Sequence, residues 1–176
     1  MIDLHTHILP RMDDGSRGVE ESVRMLEELA TQGVTHIAAT PHFYARRESP
    51  LHFVERRQRA YDALRPLLRP GMPEIRLGAE VQYYEGIHRS DEIGLLQLAG
   101  TDLLLLEMPF GRWSEHVLDE VAELDRRPGT RVLLAHIERY ARFLGPRQWQ
   151  RLAETRVLTQ ANADWFCRPI TRRRVL

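Results

Sequence analysis

The sequence has little or nothing of three features that would each indicate a class of function: cysteine, an excess of one charge, and long apolar runs. The single cysteine, Cys167, excludes an internal disulfide and fits a reducing compartment, and we expect a small buried side chain rather than a nucleophile. Basic and acidic residues number 25 each, so no net field favours nucleic acid or an anionic membrane as a partner. No apolar run approaches the roughly 20 residues that a bilayer span requires, and we expect no secretory signal. These absences predict a cytoplasmic protein without membrane insertion.

The chain does contain short apolar segments that alternate with amphipathic ones over residues 1–176, which we interpret as a single domain. Strands are predicted at 2–7, 35–40, 75–80, 102–108, 131–136 and 157–160. Helices are predicted at 20–32, 51–68, 114–126 and 146–154, with a further one at 169–176, and Pro66 is expected to disturb the last turn of the second. Strands that are apolar throughout and joined by helices predict an α/β fold whose parallel sheet is covered on both faces.

Histidine and acidic side chains fall where the predicted strands end. His5 and His7 lie two residues apart on the first strand, so both point to one face, and Asp13 and Asp14 follow. Each of the next four strands has a residue of the same kind at its end or just beyond, in order His42, Glu80, Glu107 and His136. Any one of these could be a capping, turn or salt-bridged residue. Because the carboxyl ends of parallel strands gather on one face, their joint occurrence favours a metal site.

The residue types indicate which metals such a site would take. Imidazoles and carboxylates without a thiolate suit Mn, Fe, Zn or Co in a catalytic centre, and the number of ligands suggests two or three ions. Arg139 lies three residues after His136, where a guanidinium could grip phosphate oxygens, although an ordinary surface arginine is the competing interpretation.

Several segments together resemble the polymerase-and-histidinol-phosphatase (PHP) superfamily, and within it the bacterial metal-dependent tyrosine phosphatases of capsule and exopolysaccharide operons. They are MIDLHTHILP at 1–10, DDG at 13–15, ATPH at 39–42, GAE at 78–80, LEMPF at 106–110 and AHIERY at 135–140. The resemblance implies a distorted barrel of about seven β/α units. It also implies a manganese-favouring phosphatase with a trinuclear centre, whose substrate is the phosphorylated bacterial tyrosine kinase that controls polysaccharide synthesis and export.

The same resemblance implies a role for each candidate residue. Arg139 would bind the substrate phosphate, and the ions would be held by histidine and carboxylate side chains. The pairs for the first, second and third ion are His5 with His7, Asp14 with His42, and Glu80 with His136, and Glu107 also belongs to the shell. Asp13 is the alternative to Asp14 as a ligand.

The chain departs from the family pattern at its C-terminal end. The family has one more strand, ending in an Asp-x-His pair that supplies a ligand to each of the first two ions. The sequence reaches Leu176 without that pair. We therefore expect an incomplete domain without the C-terminal strand and helix. It would be either a fragment with weak activity or a chain that completes its site by homo-oligomerisation.

Three other functions compete with the tyrosine phosphatase. One is a PHP phosphoesterase that acts on a small phosphate ester such as histidinol phosphate or a nucleotide. Another is a metal hydrolase of the amidohydrolase type, which also begins with His-x-His but does not place glutamates where Glu80 and Glu107 stand. The last is an inactive metal-binding remnant that keeps surfaces for a kinase partner.

Overall fold

Short apolar segments form parallel strands in the computed structural model, which describes residues 1–167. The strands are β1 (Ile2–Thr6), β2 (His36–Ala39), β3 (His42–Phe43), β4 (Glu74–Leu77), β5 (Glu80–Gln82), β6 (Leu103–Glu107), β7 (Arg131–Leu134) and β8 (Leu158–Thr159). The helices are α1 (Val19–Thr31), α2 (Pro50–Leu64), α3 (Glu115–Arg126), α4 (Pro146–Ala153) and α5 (Ala163–Cys167). The helix predicted at 169–176 lies outside the described residues.

Two positions of the sheet are each occupied by a pair of short strands. The predicted second strand stops before Pro41, which has no N–H to pair, and β3 follows beyond it, whereas the predicted third strand is interrupted after Leu77 and resumes at Glu80. Pairing resumes beyond both interruptions, because the Glu80 N–H donates to the Pro41 carbonyl over 3.1 Å and His42 pairs with Glu80. His42 and Glu80 therefore begin the second halves of their strands, whereas the sequence pattern placed them at strand ends.

The order of the strands matches their order along the chain. The paired runs are β1-β2-β4 and β3-β5-β6-β7-β8, and every pair is parallel. Since β3 continues β2 and β5 continues β4, each strand position neighbours the next one in the chain. This is the order found in β/α barrels, whereas doubly wound sheets reverse it at a switch point. The predicted α/β class with a parallel sheet is confirmed, and the number of β/α units stays a prediction.

Local sequence signals account for the ends of the helices. Ser49 caps α2 by accepting a hydrogen bond from the His52 N–H over 3.3 Å, and Pro50 occupies the first turn, where its missing N–H costs nothing. The α-helix ends at Leu64, earlier than the predicted 68, and a 3-10 turn at Arg65–Leu67 contains Pro66. The expected disturbance at this proline is therefore present.

The central strands are buried on both faces, as their continuous apolar runs predict. Leu104 and Leu106 of β6 belong to the main core with Leu134 of β7. Their neighbour Leu105 packs on the opposite face with Leu133, in a separate small cluster. Alternate residues of a strand point to opposite faces, so one strand serves two layers of core.

Cys167 is exposed at the end of the five-residue helix α5. The expectation of a buried thiol is therefore wrong. No helix within residues 1–167 has the length and apolar character needed to cross a bilayer.

Candidate metal centre

Glu80 is the middle of a cluster of imidazoles on one face of the sheet. Its side chain is almost fully buried, with 2% of its surface exposed. Its Oε2 lies 3.0 Å from His5 Nε2, 3.1 Å from His7 Nε2 and 3.3 Å from His42 Nδ1. Its Oε1 lies 2.8 Å from His136 Nε2. One carboxylate therefore contacts four histidines that come from three different parts of the chain.

Glu107 supplies a second carboxylate from the end of β6. Its Oε1 lies 3.5 Å from His136 Nε2 and its Oε2 lies 3.8 Å from His42 Nδ1. Its side chain is 18% exposed, which places it at the boundary between the buried cluster and the solvent.

A buried threonine of the first strand, Thr6, fixes the orientation of the two histidines on either side of it. The Thr6 hydroxyl donates to the Ala38 carbonyl over 2.7 Å, and the Thr6 N–H donates to Thr40 Oγ1 over 3.2 Å. This side chain is thereby fixed against β2. Its neighbours His5 and His7 point to the other face of the extended segment, with their ring centroids 5.2 Å apart.

The segment after His7 folds back onto it and brings the acidic pair into the cluster. The Ser16 N–H donates to the His7 carbonyl over 3.0 Å. Gly15 lies so close that a Cβ there would be 2.2 Å from the same carbonyl oxygen. Only glycine tolerates this approach, so the Asp13-Asp14-Gly15 order reflects packing as well as chemistry.

Asp13 and Asp14 have different environments. Asp13 is 5% exposed, and its Oδ2 contacts His7 Nδ1 at 2.7 Å and accepts from the His42 N–H over 2.8 Å. Its Oδ1 accepts from the Gly15 N–H over 3.0 Å. Asp14 is 83% exposed, with Oδ1 3.7 Å from His42 Nε2. The oxygens of Asp13 are therefore already engaged, whereas those of Asp14 are free to bind an ion.

His136 occupies an unusual backbone conformation just beyond β7. Its φ of 33° and ψ of 54° lie in the left-handed region, which is costly for a residue with a Cβ. The side chain is buried, and its ring packs 5.6 Å from that of Tyr140. The strained turn directs Nε2 toward both glutamates instead of continuing the strand.

The donor set fits divalent metal ions. Three groups each offer ligand atoms within 4.8 Å of one another: His5-His7-Glu80, His7-Asp14-His42 and His42-Glu80-Glu107. Within the described part of the chain, the buried Nδ1 of His42 has no hydrogen-bond partner, although it faces Glu80. A bound metal ion would give this nitrogen the partner that it lacks. His136 is outside these groups but contacts both of the glutamates they include.

The cluster shifts the titration of its members strongly. Burial opposes protonation of His7, but the hydrogen bonds and charges of Asp13 and Glu80 outweigh burial and raise the His7 pKa from 6.5 to about 10. Burial also opposes protonation of His136, and contacts with Glu107 and Glu80 raise its pKa. Burial favours the neutral form of Glu80, but hydrogen bonds from the imidazoles hold its pKa well below the usual range. The cluster thus holds protons on imidazoles where a bound ion would replace them.

A cleft of about 820 Å³ opens beside Glu107. Its walls carry aromatic rings and two arginines, among them Tyr44, Tyr84, Phe110, Tyr140, Arg46 and Arg139. Among residues 1–167, no carboxylate lies within ion-pair distance of Arg46 or Arg139, and Arg139 is exposed. Arg139 thus lines the cleft as an exposed side chain, and its role in binding phosphate stays a prediction.

The aromatic walls of this cleft were not predicted from the sequence. Tyr44 stacks on His42, with ring centroids 5.3 Å apart and planes inclined by 22°. The spacing of two residues from a candidate ligand was the available signal, because residues i and i+2 of an extended chain share a face.

Comparisons with known proteins agree with this geometry. A family model described as capsular polysaccharide synthesis, CpsB/CapC, matches residues 1–166. The tyrosine-protein phosphatase YwqE of Bacillus subtilis is 30% identical over 145 residues, covering 79% of this chain and 55% of that protein. The tyrosine-protein phosphatase CpsB of Streptococcus pneumoniae is 27% identical over 147 residues, covering 80% of this chain and 58% of that protein. The chain therefore spans a little over half the length of these two curated relatives.

A solved structure extends the likeness to three dimensions. It is one chain from the crystal structures of YwqE from Bacillus subtilis and CpsB from Streptococcus pneumoniae, described as unique metal-dependent tyrosine phosphatases. The match has a TM-score of 0.80 at 23% identity, and covers 99% of this chain and 73% of the solved one. This likeness shows that the chain has their fold.

Proposed function

Because the chain belongs to the CpsB/CapC family of capsular polysaccharide synthesis, we propose that it is a metal-dependent protein-tyrosine phosphatase. The observation that carries this proposal is the position of the histidine and carboxylate cluster, which lies directly beside a cleft lined with aromatic rings and arginines. The amidohydrolase interpretation is set aside by the family match.

The cluster would hold two or three divalent ions, with Mn²⁺ as the proposed native metal. The proposed ligands are the side chains described above: His5, His7, Asp14, His42, Glu80, Glu107 and His136. Asp14 is preferred to Asp13 because its oxygens are free. The chemistry that divalent ions supply in such a centre is activation of water and neutralisation of charge on phosphoryl oxygens.

The walls of the cleft provide the rest of the site. Arg139 would hold the phosphate in a bidentate grip, since it lines the cleft and has no carboxylate partner among residues 1–167. The rings of Tyr84 and Phe110 would flank the substrate's aromatic ring. The leaving phenolate has a pKa of about 10, so no strong general acid is required.

The proposed physiological substrate is a phosphorylated tyrosine of the bacterial kinase that controls capsule or exopolysaccharide synthesis. The capsular description of the family model and the names of the relatives support this assignment.

The test is phosphate release by the purified chain, with Mn²⁺, from a phosphotyrosine peptide, a phosphoserine peptide and histidinol phosphate. We expect the phosphotyrosine peptide to be preferred. His136→Ala should lower its rate by at least about 100-fold, because even residues behind the ligands contribute about 10–100-fold in metal sites. His52→Ala is the matched control, since His52 lies exposed on α2 and pairs with Glu48.

The outcomes separate the competing functions. Preference for histidinol phosphate would replace this proposal with a small-molecule phosphoesterase. Bound metal without release from any substrate would contradict the enzyme proposal and indicate an inactive remnant.

A further inference from the structure

We propose that Gln160 is a positioning residue of the metal centre, acting through one amide oxygen on two of the proposed ligands. The inference rests on the proposed metal-dependent function, but it concerns a residue that neither the sequence pattern nor the comparisons assign. Gln160 directly follows β8. It therefore lies just beyond its strand, as His7 lies just beyond β1 and His136 just beyond β7.

The backbone of Gln160 holds the strained turn at His136 from both sides. Its N–H donates to the Leu134 carbonyl over 2.8 Å, and its carbonyl accepts from the Ile137 N–H over 2.9 Å. The pairing of β8 with β7 thus continues across the turn, and the side chain of Gln160 lies against it.

The side-chain oxygen completes the arrangement. Gln160 Oε1 accepts from the His136 N–H over 2.7 Å, and lies 3.4 Å from His5 Nδ1. Since the His136 N–H is a donor, the amide must present its oxygen there. The amide nitrogen turns away and donates to Asn162 Oδ1 over 3.1 Å. The orientation of the amide is therefore determined by its partners.

This orientation selects the nitrogen with which His5 can bind an ion. An amide oxygen only accepts hydrogen bonds, so His5 Nδ1 carries the hydrogen in this contact. The other nitrogen, Nε2, then remains for a metal ion, and it is the one that faces Glu80 at 3.0 Å. Ring N–H groups of metal-binding histidines generally have such an acceptor behind them, which fixes the tautomer and the ring orientation.

Asp13 makes the same kind of contacts in this site, independently of Gln160. Its Oδ2 contacts the ring nitrogen of His7 at 2.7 Å and the backbone N–H of His42 at 2.8 Å. Two oxygens, one from Asp13 and one from Gln160, thus each join the ring of one proposed ligand to the backbone of another. Gln160 additionally ties the first strand to the last one described.

The experiment compares Gln160→Met, which keeps the length but removes the acceptor, with Gln160→Glu, which keeps an acceptor oxygen. Mn²⁺ affinity is measured by titration, and the absorption spectrum of the Co²⁺-loaded protein reports the geometry around the ion. We expect Gln160→Met to lose about 10–100-fold in metal affinity and to alter the spectrum. Gln160→Glu should retain affinity and spectrum. Gln150→Met, at an exposed position of α4, is the control.

The unfolding temperature of each metal-free variant reports how much Gln160 contributes to the stability of the fold without metal. Wild-type affinity in Gln160→Met would overturn the proposal. Equal loss in the Met and Glu variants would overturn it as well, because packing rather than the acceptor would then matter. Failure of the wild-type chain to bind metal at all would instead overturn the proposed function.

Discussion

Two adjacent aspartates in this chain have different physical roles, although their side chains are identical. Asp13 is buried under three hydrogen bonds, whereas Asp14 extends into solvent with one oxygen near His42. A carboxylate whose lone pairs are engaged orients its neighbours, and one whose lone pairs are free can bind a cation. Asp13 would therefore orient the neighbouring histidines, and Asp14 would bind the ion.

This division predicts opposite effects for two isosteric substitutions. Asp14→Asn should reduce the number of bound Mn²⁺ ions while leaving the metal-free protein within about 0.5 kcal/mol of wild-type stability, since the side chain is exposed. Asp13→Asn should destabilise the metal-free protein by about 1–3 kcal/mol, because buried partners lose their acceptor. Metal analysis after dialysis and urea unfolding measure the two effects. The reverse pattern would exchange the two roles.

At the level of elements, the site is built where the regular structure is interrupted. β2 and β3 separate at Pro41, just before His42, and β4 and β5 separate just before Glu80. His136 leaves its strand through a left-handed turn. A regular strand would send alternate residues to opposite faces, so these interruptions let side chains from neighbouring strands converge on one point.

The turn after β1 gives a test at this level. Gly15→Ala should place a Cβ 2.2 Å from the His7 carbonyl oxygen and 2.4 Å from its Cβ. We expect a loss of about 1–3 kcal/mol in unfolding free energy, as in other overpacked sites, together with weaker Mn²⁺ binding. Gly94→Ala is the control, because its Cβ would meet only Gln97 Oε1 at 3.9 Å. Equal stability of the two variants in urea would show that the turn can relax.

For the molecule as a whole, the metal centre links stability to pH. The His7 pKa is raised from 6.5 to about 10 and that of His136 is raised as well, so the metal-free folded state holds protons that the unfolded chain has lost. A group with a raised pKa stabilises the fold fully below its unfolded pKa, and that stabilisation is lost as pH rises through the folded pKa. Metal ions require the deprotonated imidazoles, so their stabilisation changes in the opposite direction.

We therefore expect the unfolding free energy of the metal-free protein to fall between pH 6.5 and 8.5, with a slope of up to about 1.4 kcal/mol per pH unit for each extra proton held. The increment that saturating Mn²⁺ adds should grow over the same range. Urea unfolding with chelator and with Mn²⁺ measures both quantities, and His7→Gln should flatten the metal-free slope. A metal-free protein that gained stability with rising pH would contradict this account.

Much of the architecture and most of the proposed site could be predicted from residue order. Continuous apolar runs identified β6 and β7, and residues such as His5 and Glu107 at strand ends indicated one face of a parallel sheet. These inferences succeed because strand periodicity is a local property and because a helix between successive strands favours parallel pairing. The family resemblance added the proposed function, and the match to the CpsB/CapC family model supports the family assignment.

Only the tertiary structure distinguished Asp13 from Asp14, placed Tyr44 on the cleft wall, exposed Cys167 and assigned a role to Gln160. Each of these depends on distances between segments far apart in the chain, such as the contact of Gln160 with His5. Burial and hydrogen-bond partners, not residue type, decide whether a polar side chain can bind an ion itself or instead positions a side chain that binds it. The sequence by itself determined which residues could form a metal centre, and the fold decided how they divide its functions.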